Sequence, residues 1–213
     1  MTREMDILVK SYAPPPVCWS EIYRYMRTAE PDSAVCDTAR ECMDEIAGAL
    51  RYDVCYAETP VKEHNGALEF GFARTDSRDL RICLRGCDRA IIFAATVGAA
   101  PDRLIAKYMR FSPVKGLCMQ AIGSERVEAL CDKFCRELSA SCAERGETLR
   151  PRYSPGYGDL PLEFQKDVFR LLDPPRRIGV FLGESLLMTP VKSVTAIIGV
   201  IDGGESNEAK HTT

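Results

Sequence analysis

The stretch Arg152-Tyr-Ser-Pro-Gly-Tyr-Gly158 gathers the residue types that a ligand-binding bend requires. Arg152 offers five donors in a rigid fork suited to a carboxylate. Pro155 fixes φ and removes one backbone donor, while Gly156 and Gly158, lacking a Cβ, let the main chain approach a bound molecule closely. About thirty residues later come Gly183-Glu-Ser-Leu-Leu-Met-Thr-Pro190 and Ser193-Val194, the scaffold behind that loop. Taken singly, Pro-Gly-Tyr-Gly is also what a plain turn with an aromatic plug looks like.

Nothing in the chain forms a catalytic machine by itself. There is no Ser/His/Asp set and no carboxylate pair at recognisable spacing, and of the two histidines, His64 falls in a predicted hairpin turn. The ten cysteines invite a metal or redox reading, which their spacing argues against. Cys131, Cys135 and Cys142 share one helical face beside Leu130, Phe134 and Leu138, where thiols serve as small core residues. No Cys-x-x-Cys occurs, and the third thiol of an iron–sulfur triplet is replaced by Leu138. The residues 98–102, between a strand and a helix, offer free N–H groups but lack Gly-x-Gly-x-x-Gly and the Walker lysine, so they read as an ordinary connection.

At 213 residues and a net charge of −3, the chain is long enough for one self-supporting core. Its Lys and Arg residues are interleaved with Asp and Glu, which disfavours nucleic acid as a partner. The longest apolar runs, 90–97 and 195–201, fall far below the roughly 18 residues that span a bilayer. No leader pattern is visible at the N-terminus, so a cytoplasmic location with reduced thiols is expected.

The elements that must position the loop can be read in order. A proline-rich segment, 13–16, excludes helix and central strand. Ser20 is expected to cap a helix over 21–27, and Ser33 a helix over 32–50 with Val35, Ala39, Met43, Ile46 and Leu50 on one face. Strands are predicted at 52–59 and 66–72 around an Asn65-Gly66 turn, then a polar turn at 75–78 and a buried strand at 89–97. A helix follows through Met109, and a long one over 117–145 ends at Gly146 in αL conformation. Asp159 is expected to cap a helix over 160–172 that Pro174-Pro175 stops, and strands at 178–182 and 193–201 close the fold. The pattern predicts one α+β domain over 1–202, a mainly antiparallel twisted sheet with flanking helices, and a disordered polar tail over 203–213.

The ordered combination of Arg152, Pro155-Gly156-Tyr157, Gly179 and Leu182, Glu184-Ser185, Met188, Pro190 and Ser193-Val194 resembles the S-adenosylmethionine-binding activation domain of cobalamin-dependent methionine synthase. That family carries Arg-x-x-Pro-Gly-Tyr, a Gly-x-x-Leu strand, Glu-Ser-x-x-Met-x-Pro and Ser-Val in this order. The resemblance implies the same α+β fold and S-adenosylmethionine as ligand, with Arg152 on its carboxylate. Backbone around Ser154 and Gly156 would meet adenine or ribose, Pro155 would belong to the same binding loop, and Tyr157 would wall the pocket or present a hydroxyl. Glu184 and Ser185 would support the loop from behind. A family aspartate that holds the ligand's amino group has Asp6, Asp32 and Asp37 as candidates here. The family's further C-terminal hairpin adds an aromatic contact that is expected here to be missing or supplied by other residues, since the Ser-Val strand is followed by Gly203-Gly204-Glu205-Ser206.

The resemblance further implies a stand-alone activation subunit for a short methionine synthase. It would support reductive remethylation of inactive cob(II)alamin to methylcobalamin, with cobalamin reached only through that partner and electrons from a donor such as a flavodoxin or ferredoxin. It would be a component of a methyltransferase, with no turnover by the isolated chain. The alternative is a sensor of S-adenosylmethionine, or a corrinoid-protein partner, with no role in methionine synthesis.

Overall fold

A computed structural model describes residues 5–28 and 30–203; the expected disordered tail lies, from 204 onward, outside the described residues. In chain order the elements are β1 (Leu8–Ser11), α1 (Trp19–Tyr25), α2 (Ser33–Ala47), β2 (Asp53–His64), β3 (Ala67–Phe70), β4 (Arg74–Thr75), α3 (Arg78–Cys83), β5 (Arg89–Thr96), α4 (Ala100–Phe111), α5 (Pro113–Ala143) and β6 (Thr148–Leu149). A 3-10 turn (Leu162–Phe164), α6 (Gln165–Leu172), α7 (Pro174–Ile178), β7 (Phe181–Leu182), β8 (Met188–Thr189) and β9 (Ser193–Ile201) complete the chain.

The main sheet is antiparallel throughout, in the order β4-β3-β2-β5-β9-β6, with β1 also paired to β2. Its two central strands are buried on both faces, and period-2 alternation assigns their side chains to two separate cores. Ala90, Ile92, Ala94 and Ile197 pack with Leu160, Phe164, Val168 and Leu172 on the α6 side. Ile91, Phe93, Ala95, Ala196 and Ile198 pack with Val127, Leu130, Cys131 and Phe134 of α5 on the other. The far side of α5 buries Cys118, Met119 and Ile122 against Ile22, Met43 and Ile46 of α1 and α2. Among the described residues no helix is long and apolar enough to cross a membrane.

Strong periodicity placed most elements, and the departures have local causes. Asn65 and Gly66, at φ 51° and 79°, make a two-residue hairpin that carries β2 and β3 to within one residue of the turn on either side. The cap of α2 is Asp32, whose carboxylate accepts from Val35 N, rather than Ser33. The helix at α1 starts at Trp19, one residue before the expected Ser20 cap. Asp159 caps no helix after it; it accepts from Ser77 Oγ, Arg78 N and Asp79 N and so closes the start of α3, a short helix that follows the predicted polar turn at 75–78 and was not itself predicted. Pro174 and Pro175 do not simply stop α6 but open α7, after Asp173 reverses the chain in αL conformation. The predicted strand at 178–182 is reduced to β7, which pairs only with β8 in a separate hairpin.

Two polar clusters tie these layers together. The proline-rich segment is held by Arg126 of α5, 1 % exposed, whose guanidinium donates to the carbonyls of Pro15 and Pro16 at 2.6 and 2.8 Å. Glu125, 2 % exposed, pairs with Arg126 and accepts from Cys18 N. At the other end, Glu147 accepts from Arg145 and Arg89, whose hydrogen bonds bring its pKa from 4.5 down to about 2. A depressed carboxylate contributes stability that is complete above the unfolded value and lost as pH falls through the folded one. In acid titration followed by circular dichroism, wild type will therefore lose this contribution between about pH 4.5 and about 2. Glu147→Gln will be less stable at neutral pH and flatter across that window; parallel profiles would show that the cluster carries no net stability.

Candidate functional site

The segment after α5 runs antiparallel along the outer edge of β9. Arg150 N donates to Gly199 O, and Tyr153 and Ile197 exchange both main-chain hydrogen bonds at 2.8 Å. Beyond Tyr153 the chain leaves the sheet in a tight bend: Tyr157 N donates to Ser154 O, with Pro155 and Gly156 at the two central positions and Gly156 at φ 89°. That is the type II arrangement, which favours proline first and glycine second. Gly156 N then donates to Leu160 O, and the Tyr153 hydroxyl to Tyr157 O, locking the bend on its own stem.

This bend forms the mouth of a cavity of about 380 Å³ lined by Arg152, Tyr153, Ser154, Pro155 and Tyr157 from the loop. Ser193, Val194 and Thr195 of β9, Gln165 of α6, Met188 of β8 and Glu128 of α5 complete its walls. Four of the five expected binding residues, Arg152, Ser154, Pro155 and Tyr157, thus converge on one space. Gly156 does not line it; its role is the turn, where a Cβ would meet Leu162 at 3.1 Å. Glu184 and Ser185 sit in the exposed turn between β7 and β8 and do not line it either. Asp6, Asp32 and Asp37 also lie outside it; Asp32 serves as the α2 cap and Asp37 pairs with Arg40.

Arg152 is already engaged. Its two terminal nitrogens donate to Glu128 at 2.5 Å and Asp132 at 2.9 Å, one helical turn apart on α5. Two of five N–H groups are used in this way, so the fork keeps donors for an incoming carboxylate. The same two carboxylates set acceptors for a cation beside it. A second cavity of about 540 Å³ shares the Arg152–Glu128 wall and is bounded on its far side by Cys18, Glu21 and Arg24.

Sequence reasoning passed over Glu128, Asp132, Gln165 and Thr195. Acidic residues at i and i+4 of a helix ordinarily mark a solvated face, and a single glutamine or threonine carries no pattern. Yet among the described residues only three buried side-chain atoms lack a hydrogen-bond partner, and two of them, Gln165 Oε1 and Thr195 Oγ1, belong to residues of this cavity. Each such group costs about 1–3 kcal/mol when left unmade. Ser193, by contrast, is satisfied, its hydroxyl lying 2.8 Å from Pro190 O and 2.9 Å from Thr96 Oγ1. Among the described residues no three His, Cys, Asp or Glu side chains converge as metal ligands would. All ten thiols are free; burial pushes Cys55 up to about 12 and raises Cys131 as well, as expected of thiols used for packing.

No family model and no curated protein matches the chain. Among solved structures it is similar to the MetH reactivation domain bound to AdoHcy, with a TM-score of 0.69 over 98 % of this chain and 82 % of that one, at 13 % identity. The chain has the reactivation-domain fold. The mixed helical and antiparallel architecture expected from the sequence is therefore one that a known domain adopts across nearly the whole of this chain.

The rigidity of the loop can be tested without any ligand. Gly158 has φ 51°, and a Cβ there would lie 2.3 Å from Asp79 Oδ2 and 2.4 Å from the Tyr153 hydroxyl. Gly158→Ala will cost the roughly 1–2 kcal/mol of a left-handed residue and, in addition, the displacement of the Asp79 and Tyr153 side chains. At Gly146 a Cβ would meet nothing within 4 Å, so Gly146→Ala will cost only the roughly 1–2 kcal/mol of a left-handed residue. Urea unfolding of the two variants will separate them; equal losses would mean that the loop yields freely.

Proposed function

We propose that this chain binds S-adenosylmethionine in the cavity beneath the Arg152 loop and serves as a stand-alone activation subunit for a short cobalamin-dependent methionine synthase. The observation that carries the reading is the convergence of Arg152, Ser154, Pro155 and Tyr157 on one cavity, in a fold shared with a domain solved with AdoHcy. The residues present suit such a ligand. Arg152 provides donors for its carboxylate, Glu128 provides an acceptor for its ammonium, and Tyr153, Pro155, Met188 and Val194 provide apolar walls. When bound, S-adenosylmethionine supplies an electrophilic methyl group.

The chain's own part is to bind, orient and present. The loop stands at the surface, with Tyr157 69 % exposed, so a partner that carries a corrinoid can approach it from outside. Such a partner must be released before the synthase resumes turnover, which favours an interface of modest area with a polar rim. Electrons for the reductive step would come from a separate donor such as a flavodoxin or ferredoxin. The test combines this protein, S-adenosylmethionine and a reductant with a short synthase in its cobalt(II) state. Return of the methylcobalamin spectrum only when all are present supports the proposal; full reactivation without this chain contradicts it.

A further inference from the structure

Two residue choices that cost local stability meet at one place away from the Arg152 loop. At the end of α1, Arg27 N donates to Arg24 O and Thr28 N to Tyr23 O, a closure that holds Arg27 in left-handed conformation at φ 58°. Glycine is the usual residue there, since it has no Cβ to strain. Midway along the 31-residue α5, Gly123 stands where alanine would favour the helix. A Cβ at Gly123 would lie 3.1 Å from both Cγ and Cε of Lys192, so the glycine clears a path for that side chain.

Both choices bring a cation to the same cavity. A space of about 530 Å³ between the end of α1 and the first half of α5 is walled by Tyr25, Met26, Val114 and Leu117, with Arg27 and Ser124 also lining it. It shares no lining residue with the cavity beneath the Arg152 loop. Lys192, 9 % exposed, donates to Ser124 Oγ at 2.9 Å and so places its ammonium one hydrogen bond behind this wall. Among the described residues neither Lys192 nor the exposed Arg27 makes an ion pair. Burial holds the Lys192 pKa below the usual lysine value; Asp102 acts the other way, but its carboxylate accepts from Val191 N at 2.8 Å. The ammonium is therefore a buried charge without a close counter-ion.

We propose that this cavity is a second ligand site, for an organic anion with an apolar body, of the class of a medium-chain carboxylate. Lys192 and Ser124 receive the carboxylate, Arg27 adds a second cation to the same cavity, and the chain lies on Val114 and Leu117. Apolar walls with a few convergent polar groups are what a small-molecule site needs. A bound carboxylate supplies the counter-charge that Lys192 lacks, which a neutral head on the same chain does not. Local rules of sequence are broken chiefly where function requires it, and here two such breaks, at Arg27 and Gly123, serve one cavity. The site is independent of what the Arg152 cavity takes.

The experiment titrates octanoate and 1-octanol, which share an eight-carbon chain, into the full-length protein by calorimetry. Wild type will bind one octanoate per chain, about 10-fold or more tightly than octanol, the scale of a hydrogen bond to a charged group. Lys192→Met keeps the stem, removes the charge and will lose most of that preference. Arg27→Gly will weaken octanoate by about 2- to 5-fold, the scale of an exposed ion pair, yet unfold at higher urea than wild type because the left-handed strain is relieved. No saturable octanoate binding by wild type, or equal affinity for octanol, overturns the proposal whether or not the variants fold. Octanoate affinity that folded Lys192→Met and Arg27→Gly both retain in full also overturns it.

Discussion

Arg126→Ala will lower the stability of this chain by about 3–5 kcal/mol, the cost of breaking a buried ion pair by removing one partner. The guanidinium is 1 % exposed and closes three contacts at once: the Glu125 carboxylate and the carbonyls of Pro15 and Pro16. Its loss strands Glu125, itself 2 % exposed, with Cys18 N as its remaining hydrogen-bond donor. The proline segment would also lose its attachment to α5, and that segment forms one wall of the second cavity beside Arg152. Replacing both charges, as in Glu125→Leu with Arg126→Met, will recover part of the loss, because two apolar side chains leave no buried charge uncompensated. Thermal and urea unfolding of the single and double variants will decide it. An Arg126→Ala protein as stable as wild type would mean that water reaches the cluster freely.

Arg152→Ala will weaken S-adenosylmethionine binding by about 2–4 kcal/mol, the scale for truncating one partner of a hydrogen-bonded charge pair. The effect has two parts. A carboxylate of the ligand loses its guanidinium, and Glu128 and Asp132 lose the cation that now balances them at 2.5 and 2.9 Å. A cavity left with uncompensated negative charge will repel a carboxylate as well as fail to bind it. Arg152→Lys keeps the charge but not the fork, and will recover only part of the affinity. Because Arg152 is 27 % exposed and its partners 41 % and 55 %, the fold itself will change little. Unfolding midpoints within a degree or two of wild type, together with a large loss of affinity, are the expected combination. Unchanged affinity would remove Arg152 from the site.

How much of this was legible beforehand depended on the length of each signal. The 31-residue α5 and the nine-residue β9 repeat their periods several times, and both were found close to their true bounds. The Asn65-Gly66 hairpin was legible because φ above zero at two successive residues restricts the choice of residue. By contrast, α3 has six residues and its start is closed by Asp159, some eighty positions away, a partner that no local pattern announces. Within the site, Arg152 and Pro155-Gly156 were visible because a bend demands special backbone. Gln165 and Thr195 were not, since only the packing of α6 over the face of the sheet brings them to one cavity. Glu125 and Arg126 look like a solvated pair in sequence; they are buried because the proline segment lies over them.

Calorimetric titration of S-adenosylmethionine into the wild-type chain tests the central claim most directly. The account predicts saturable binding at one site per chain, competed by S-adenosylhomocysteine and strongly weakened by Arg152→Ala. No binding by folded wild-type protein, or binding that Arg152→Ala leaves unchanged, would contradict it.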